Sequence, residues 1–263
     1  MDLKERNFLI SGGTSGINLG IARVLASHGA HVAVFGRDPE KARVAAEEIA
    51  EVPGASVTMG LAADVRDPDA VAGVVAEAAE TLGPLDGVIA GAAGNFPAPA
   101  VSISPKGFKT VVDIDLLGSY NVFWSSFEHL RKPGASLIAI TAPQATQVWP
   151  HQVHVCAAKA GVNMLVRSLA FEWGPAGVRV NAISPGPIEK TEGMERLAPT
   201  PEIAEGFRRK LPLRRFGRAD EVGNLAAFLS SADAEYITGC IIPCDGGTDL
   251  GDASADCLTP SRR

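Results

Sequence analysis

The stretch HQVHVCAAKAG, residues 151–161, sets one ammonium, Lys159, among small apolar side chains. A lysine is almost never buried without a partner, and the residue one helical turn earlier, Val155, offers none. A second stretch, Ser11-Gly12-Gly13-Thr14-Ser15-Gly16-Ile17, joins a strand-like run at 7–10 to a helical pattern. Glycines there let the chain turn tightly and let backbone N–H groups approach a pyrophosphate at a helix N-terminus. At the first strand-to-helix turn of an α/β domain this pattern reads as a nucleotide site. The next position, where a third glycine is expected, is Asn18, with Gly20 beyond. Helix packing there is expected to be looser, or shifted toward Gly20.

The second apolar run, 31–36, ends Phe35-Gly36-Arg37 with no carboxylate at its tip. An NAD site uses an acid there to hold the ribose 2′-hydroxyl. An arginine instead suits a 2′-phosphate through a charge-assisted fork. The cofactor expected is NADP, with NAD as the alternative. In the competing reading Arg37 is a surface group pairing with Glu40 or Glu47. Asp64-Val65, after the third run, is placed to reach an adenine; alternatively Asp64 caps the helix after Pro68.

Short apolar runs alternate with amphipathic stretches over nearly the whole chain of 263 residues. Runs within 56–64, 86–94, 135–141, 178–184 and 240–245 continue the strands. Helical patterns occupy 68–82, 105–131, 152–173 and about 219–231. Nearly continuous apolar strands separated by helices imply a parallel sheet covered on both faces. The expectation is one α/β domain, a doubly wound (Rossmann) fold over 1–250 with a seven-stranded parallel sheet and ligands at the strands' carboxyl ends. Residues 251–263 are expected to form a loosely held tail.

A net charge of −6 gives no overall basic field for nucleic acid or an anionic membrane. The N-terminal stretch is not patterned as a signal peptide, and no apolar stretch is long enough to span a bilayer. The four cysteines form no CxxC pair and lie near no histidine cluster of metal spacing, so no metal site is expected. Reduced thiols and a cytoplasmic setting follow as expectations.

Together these features resemble the short-chain dehydrogenase/reductase family over nearly the whole chain. The resemblance adds the GAAG at 91–94, Val180-Asn181, PGPIEKT at 185–191 and YITGCIIPCDGG at 236–247. It implies that Ala92, Pro185, Gly186, Ile188 and Thr191 lie along the cofactor with the glycine turn. It also implies that the closing Gly246-Gly247 stretch helps build a homotetramer. Lys159 falls on the family's catalytic lysine, but its tyrosine position is Val155, its serine position Ala142 and its asparagine position Asp115. Asn18 and Ala90 also depart from the pattern.

One branch fits these departures. AAGNFPAP (92–99), GFKTVVDID (107–115), QVHVCAAKAG (152–161) and PGPIEKTEGMERL (185–197) look like the 2,4-dienoyl-CoA reductases of the peroxisomal type. That resemblance implies Asp115 and Lys159 as the catalytic pair, with Lys159 also binding the nicotinamide ribose and an acyl-CoA as substrate. The mitochondrial type uses an upstream tyrosine, and Gln144 stands at that place here. Ketone reduction makes a strongly basic alkoxide, and losing a positioned acid forfeits about 10²–10⁴ in rate. A dienoyl thioester collects charge as a milder dienolate, for which hydrogen-bond donors suffice.

Asn95 and Phe96 are placed to line the acyl pocket. Asp115 can alternatively be a purely structural partner of Lys159. His151 and His154 are alternative acids, although His154 points about 100° away from Val155 on a helix. Gln144 and Gln147 can donate to a carbonyl oxygen or serve as loop polar groups, and Trp149 and Trp173 read as packing residues. The basic run 208–218 either meets CoA phosphates from a lid or is a solvated face. The two other functional readings are a general carbonyl or 3-oxoacyl reductase and a catalytically silent NADP-binding relative.

Overall fold

The computed structural model describes residues 1–255. Its strands are β1 (Asn7–Ser11), β2 (His31–Gly36), β3 (Thr58–Ala62), β4 (Gly87–Ala90), β5 (Ser136–Ile140), β6 (Arg179–Pro185) and β7 (Ile241–Cys244). They form one parallel sheet in the order β3-β2-β1-β4-β5-β6-β7. Strand order reverses between β1 and β4, the place where a doubly wound sheet leaves a crevice at its carboxyl edge.

The helices are α1 (Gly16–Ser27), α2 (Pro39–Ala50), α3 (Pro68–Leu82), α4 (Pro105–Val112), α5 (Gly118–Ser126), α6 (Val153–Trp173), α7 (Glu192–Leu197), α8 (Pro201–Lys210) and α9 (Ala219–Ser230). Side chains alternate across the strands. Phe8 and Ile10 pack in the layer of Ile21, Leu25 and Val222 from α1 and α9. Leu9 packs in the other layer, with Val74, Val122 and Val162 from α3, α5 and α6. That is why the strands read as unbroken apolar runs.

Local signals fix several boundaries. Asp38 and Asp67 each accept two backbone N–H bonds as N-caps, with proline next in the chain, so Asp67 and not Asp64 caps α3. The packing glycine is Gly20, where a Cβ would lie 2.4 Å from the Cβ of Ala219 on α9. The displaced Asn18 is buried and donates to the Gly91 carbonyl (2.8 Å).

The single helix expected over 105–131 is interrupted. A π-helical turn, Asp113–Leu117, joins α4 to α5, which ends at Ser126. One extra residue in a helical turn leaves no trace in a hydrophobic pattern this short. The segment after Asp249 is held more closely than expected. The Ala253 N–H donates to the Lys210 carbonyl (2.9 Å), and Arg214 donates to the Ala253 carbonyl (2.6 Å). The rest of the expected tail, 256–263 with Cys257, lies outside the described residues. Among the described residues no helix is long and apolar enough to cross a membrane, and no cluster could hold a metal ion.

Candidate active site

A cleft of about 840 Å³ opens along the carboxyl ends of the central strands. At one end Gly12, Ser15, Gly16 and Ile17 form its floor. Gly12 has φ +67°, and a Cβ on it would lie 2.9 Å from the Ala92 backbone, so glycine is required for both conformation and space. No side chain caps the N-terminus of α1, and its first turn carries no acid. That arrangement leaves backbone donors and a positive helix end for a pyrophosphate. The cradle therefore fits a dinucleotide. Ser11 and Gly13 shape it from behind: the Ser11 hydroxyl accepts the Gly91 N–H (3.0 Å), and Gly13 abuts Val34.

Arg37 lines the cleft and has no ion pair among the described residues. Glu40 and Glu47, its suggested surface partners, both pair with Arg43 instead. Asp64 and Val65 also line the cleft. Hydrogen bonds from Arg66 hold the Asp64 carboxyl below its usual range, and the more distant Arg37 charge adds to this. Val65 packs against Gly118 at the end of the π-helical turn and accepts a bond from Asn121 (2.9 Å). Ala92, Pro185, Gly186, Ile188 and Thr191 face the same cleft. The Thr191 hydroxyl caps α7 through the Met194 N–H (3.3 Å).

Toward the middle of the cleft the buried lysine finds its partner. Lys159 Nζ lies 3.2 Å from Asp115 Oδ2 and donates to the Ile140 carbonyl at 2.9 Å. The two residues are 5% and 1% exposed. Asp115 Oδ1 accepts the Gly94 N–H (2.7 Å), so one carboxylate ties the β4 loop to the ammonium. The π-helical turn places Asp115, and its own carbonyl is met by the Ser119 hydroxyl (2.6 Å). Val155 and Ala142 line the cleft beside the pair with no ionisable group.

The histidines stand apart. His151 is exposed. His154 is fully buried, outside the cleft lining, with its ring 4.5 Å from that of Phe96. Burial pushes its imidazole below the ordinary value, against weaker opposing effects of the Phe96 backbone and Asp115. Phe96 thus packs on a histidine and is absent from the cleft lining, whereas Asn95 is part of it.

Trp149 lines the cleft, contrary to the packing role expected of it, while Trp173 packs on Phe127 as expected. Gln147 is drawn off to the Asp249 carbonyl (2.8 Å). In the basic run Arg208 pairs with Glu205, Lys210 with Asp252, Arg215 with Glu221 and Arg218 with Asp220, so four of its six charges are matched locally. Sequence reasoning missed Met194, Leu197 and Phe207, which cover the cleft from α7 and α8, and Gln152 behind Asn95 and Gln144. The amphipathic pattern of α8 was the available signal for Phe207. Gln152 has none, since a polar residue before a helix reads as a cap.

The model for the family described as enoyl-(acyl carrier protein) reductase matches residues 12–249. The chain belongs to the short-chain dehydrogenase/reductase family. As a member it is an oxidoreductase of the nicotinamide-dependent class.

Among similar members, the zebrafish (Danio rerio) peroxisomal 2,4-dienoyl-CoA reductase [(3E)-enoyl-CoA-producing] is 38% identical, covering 96% of this chain and 84% of its own. A Bacillus subtilis protein provisionally named 2,4-dienoyl-CoA reductase [(2E)-enoyl-CoA-producing] is also 38% identical, over 93% of this chain and 97% of its own. Of solved structures, a short chain dehydrogenase from Bacillus anthracis has a TM-score of 0.82 at 35% identity, over 93% and 97% of the two chains. A short-chain type dehydrogenase/reductase from Mycobacterium ulcerans has a TM-score of 0.90 at 30% identity, over 96% and 92%.

Proposed function

We propose that this short-chain reductase is an NADP-dependent 2,4-dienoyl-CoA reductase, with Asp115 and Lys159 as its catalytic pair. The observation that carries the reading is the buried Asp115–Lys159 ion pair at 3.2 Å, flanked by Val155 and Ala142 where a proton-donating hydroxyl would otherwise stand. Bound NADPH supplies a hydride, and the glycine turn, Asp64, Val65, Ala92 and the 185–191 segment hold it along the cleft. Arg37 takes the 2′-phosphate, a role supported by its freedom from the neighbouring glutamates.

The chain's own residues then handle charge and a proton. Reduction at the far end of the conjugated thioester leaves a dienolate, a weaker base than an alkoxide. A site without a phenol can support it by hydrogen bonding and a positive field. Lys159 supplies that field and binds the nicotinamide ribose. Asp115 fixes the ammonium and orients the water that delivers a proton to carbon; Asn95 contacts the acyl thioester. Protonation next to the thioester gives the (3E) product named for the zebrafish relative, and protonation two carbons further gives the (2E) product named for the Bacillus one. We assign the (3E) outcome, which is the product named for the zebrafish and rat relatives.

A homotetramer is part of the proposal, supported by exposed Trp124, Met164 and Phe171 on α5 and α6. So is a cytoplasmic setting, the reading in which the cysteines serve as reduced thiols. Several relatives are named peroxisomal. The deciding experiment is NADPH oxidation with 2,4-hexadienoyl-CoA, acetoacetyl-CoA and simple ketones, with product analysis. Turnover confined to the dienoyl thioester supports the proposal. Brisk ketone reduction replaces it with a carbonyl reductase, and NADPH binding with no turnover replaces it with a silent nucleotide-binding relative.

A further inference from the structure

With Val155 and Ala142 at the hydroxyl positions, hydrogen-bond donors for the thioester oxygen must come from elsewhere in the cleft. Gln152 is 2% exposed, and its side-chain carbonyl accepts two bonds at once, from Asn95 Nδ2 (3.1 Å) and Gln144 Nε2 (3.1 Å). Asn95 and Gln144 line the cleft and Gln152 does not. Each primary amide carries two N–H groups. One from each is spent on Gln152, which leaves one from each free. Sharing an acceptor also keeps the two nitrogens within about 6 Å of each other.

The backbone is arranged to put Gln152 there. His151 adopts φ +65°, a left-handed conformation that costs free energy for a non-glycine residue. Its carbonyl is held by the Ala98 N–H at 2.9 Å. The loop after β4 is therefore tied to the start of α6 twice, through Ala98 and through Asn95. Three separate segments meet on one buried carbonyl.

We propose that Gln152 is a positioning residue, turning the Gln144 and Asn95 amides so that their free N–H groups converge on the thioester oxygen as the dienolate forms. This rests on the dienoyl-CoA reading above. Donors fixed before the reaction need no reorganisation when charge develops, and losing one such donor typically lowers kcat on the order of 10²-fold.

The test compares wild type with Gln152→Met, which keeps the bulk and removes the acceptor, and Gln152→Glu, which accepts but cannot donate when ionised. Gln152→Met is expected to lower kcat on the order of 10²-fold with KM and NADPH affinity little changed. Gln152→Glu is expected to recover much of that loss, increasingly as pH rises and its carboxyl ionises. A second readout needs no turnover: hydrogen bonds to the thioester oxygen red-shift the absorbance of bound 2,4-hexadienoyl-CoA without NADPH. That shift should shrink in Gln152→Met and return in Gln152→Glu.

Unchanged kcat and unchanged shift in Gln152→Met overturn the proposal, as do equal losses in both variants, which would assign Gln152 to packing. If Gln152→Met does not fold, Gln144→Met replaces it; a full red shift in that variant also overturns the proposal. A wild-type protein that neither reduces nor red-shifts the dienoyl thioester sinks the dienoyl reading itself, a result visible before any variant is made.

Discussion

The two ends of the cleft are built by different means. At the nucleotide end the backbone does the work: Gly12 in a left-handed turn, Gly20 pressed on Ala219, and an uncapped α1. At the reaction end two charged side chains do it, with backbone groups holding each in place. Asp115 from the π-helical turn, Lys159 from α6, Gly94 from the β4 loop and the Ile140 carbonyl meet at distances of 2.7–3.2 Å. A backbone-built site tolerates change in surface side chains and not in glycine positions. A side-chain-built site depends on each charged partner, because removing one leaves the other buried and unpaired.

The strongest way to break this contrast is at the reaction end. Asp115→Ala should abolish NADPH-dependent reduction and destabilise the fold by about 3–5 kcal/mol, since Lys159 would be left alone in the interior. Asp115→Asn retains an acceptor for the Gly94 N–H, so it should keep NADPH binding while losing activity. Denaturant unfolding together with steady-state rates checks both. Wild-type activity in Asp115→Ala would reduce the residue to a structural partner.

At the nucleotide end Gly20→Val should cost about 1–3 kcal/mol by overpacking α1 against α9. The loss would appear in the denaturation midpoint, with little effect on kcat for the molecules that remain folded. Arg37→Ala is a smaller change and sharpens the cofactor assignment. It should weaken NADPH by roughly 10-fold or more, as expected for a lost charge-assisted hydrogen bond, and leave NADH nearly unaffected. Equal losses in titrations with the two cofactors would remove Arg37 from the phosphate site.

The smallest expected effect lies outside the cleft, at His154. Burial holds its folded pKa below the ordinary 6.5. The unfolded chain therefore takes up a proton first as pH falls. The contribution is intact above about 6.5 and is lost as pH drops toward and through the lower folded value. Wild type should lose more thermal stability than His154→Phe between about pH 7 and pH 5, the range in which an ordinary histidine titrates. Parallel melting curves for the two proteins would contradict the burial argument.

Much of the nucleotide end was legible in the sequence, since glycine spacing and a strand tip without an acid are local signals, whereas the α3 cap proved to be Asp67 and not Asp64. Even there, choosing Gly20 over looser packing required the position of Ala219, some two hundred residues away. The reaction end was legible mostly as absences, at Val155 and Ala142. Asp115 entered by family resemblance; nothing in its neighbours shows that a π-helical turn brings it to Lys159. Trp149 was misjudged for a related reason, and Phe96 stands outside the cleft lining. An aromatic residue in a loop has no periodicity to say which wall it faces, and the structure gives the cleft to Trp149 and sets the Phe96 ring at a tilt against His154.

The sequence by itself determined the alternation of strands and helices, the glycine turn, and the need of Lys159 for a partner. Each follows from conformational preference or from the cost of burying a charge, which act within a few residues. Only the tertiary structure decided how Asp115, named by resemblance, reaches Lys159, that His154 is sealed away from the cleft, and that Gln152 draws two amides together. Those outcomes depend on distances between segments far apart in the chain, set by how the β4 loop, the π-helical turn and α6 pack on one sheet edge.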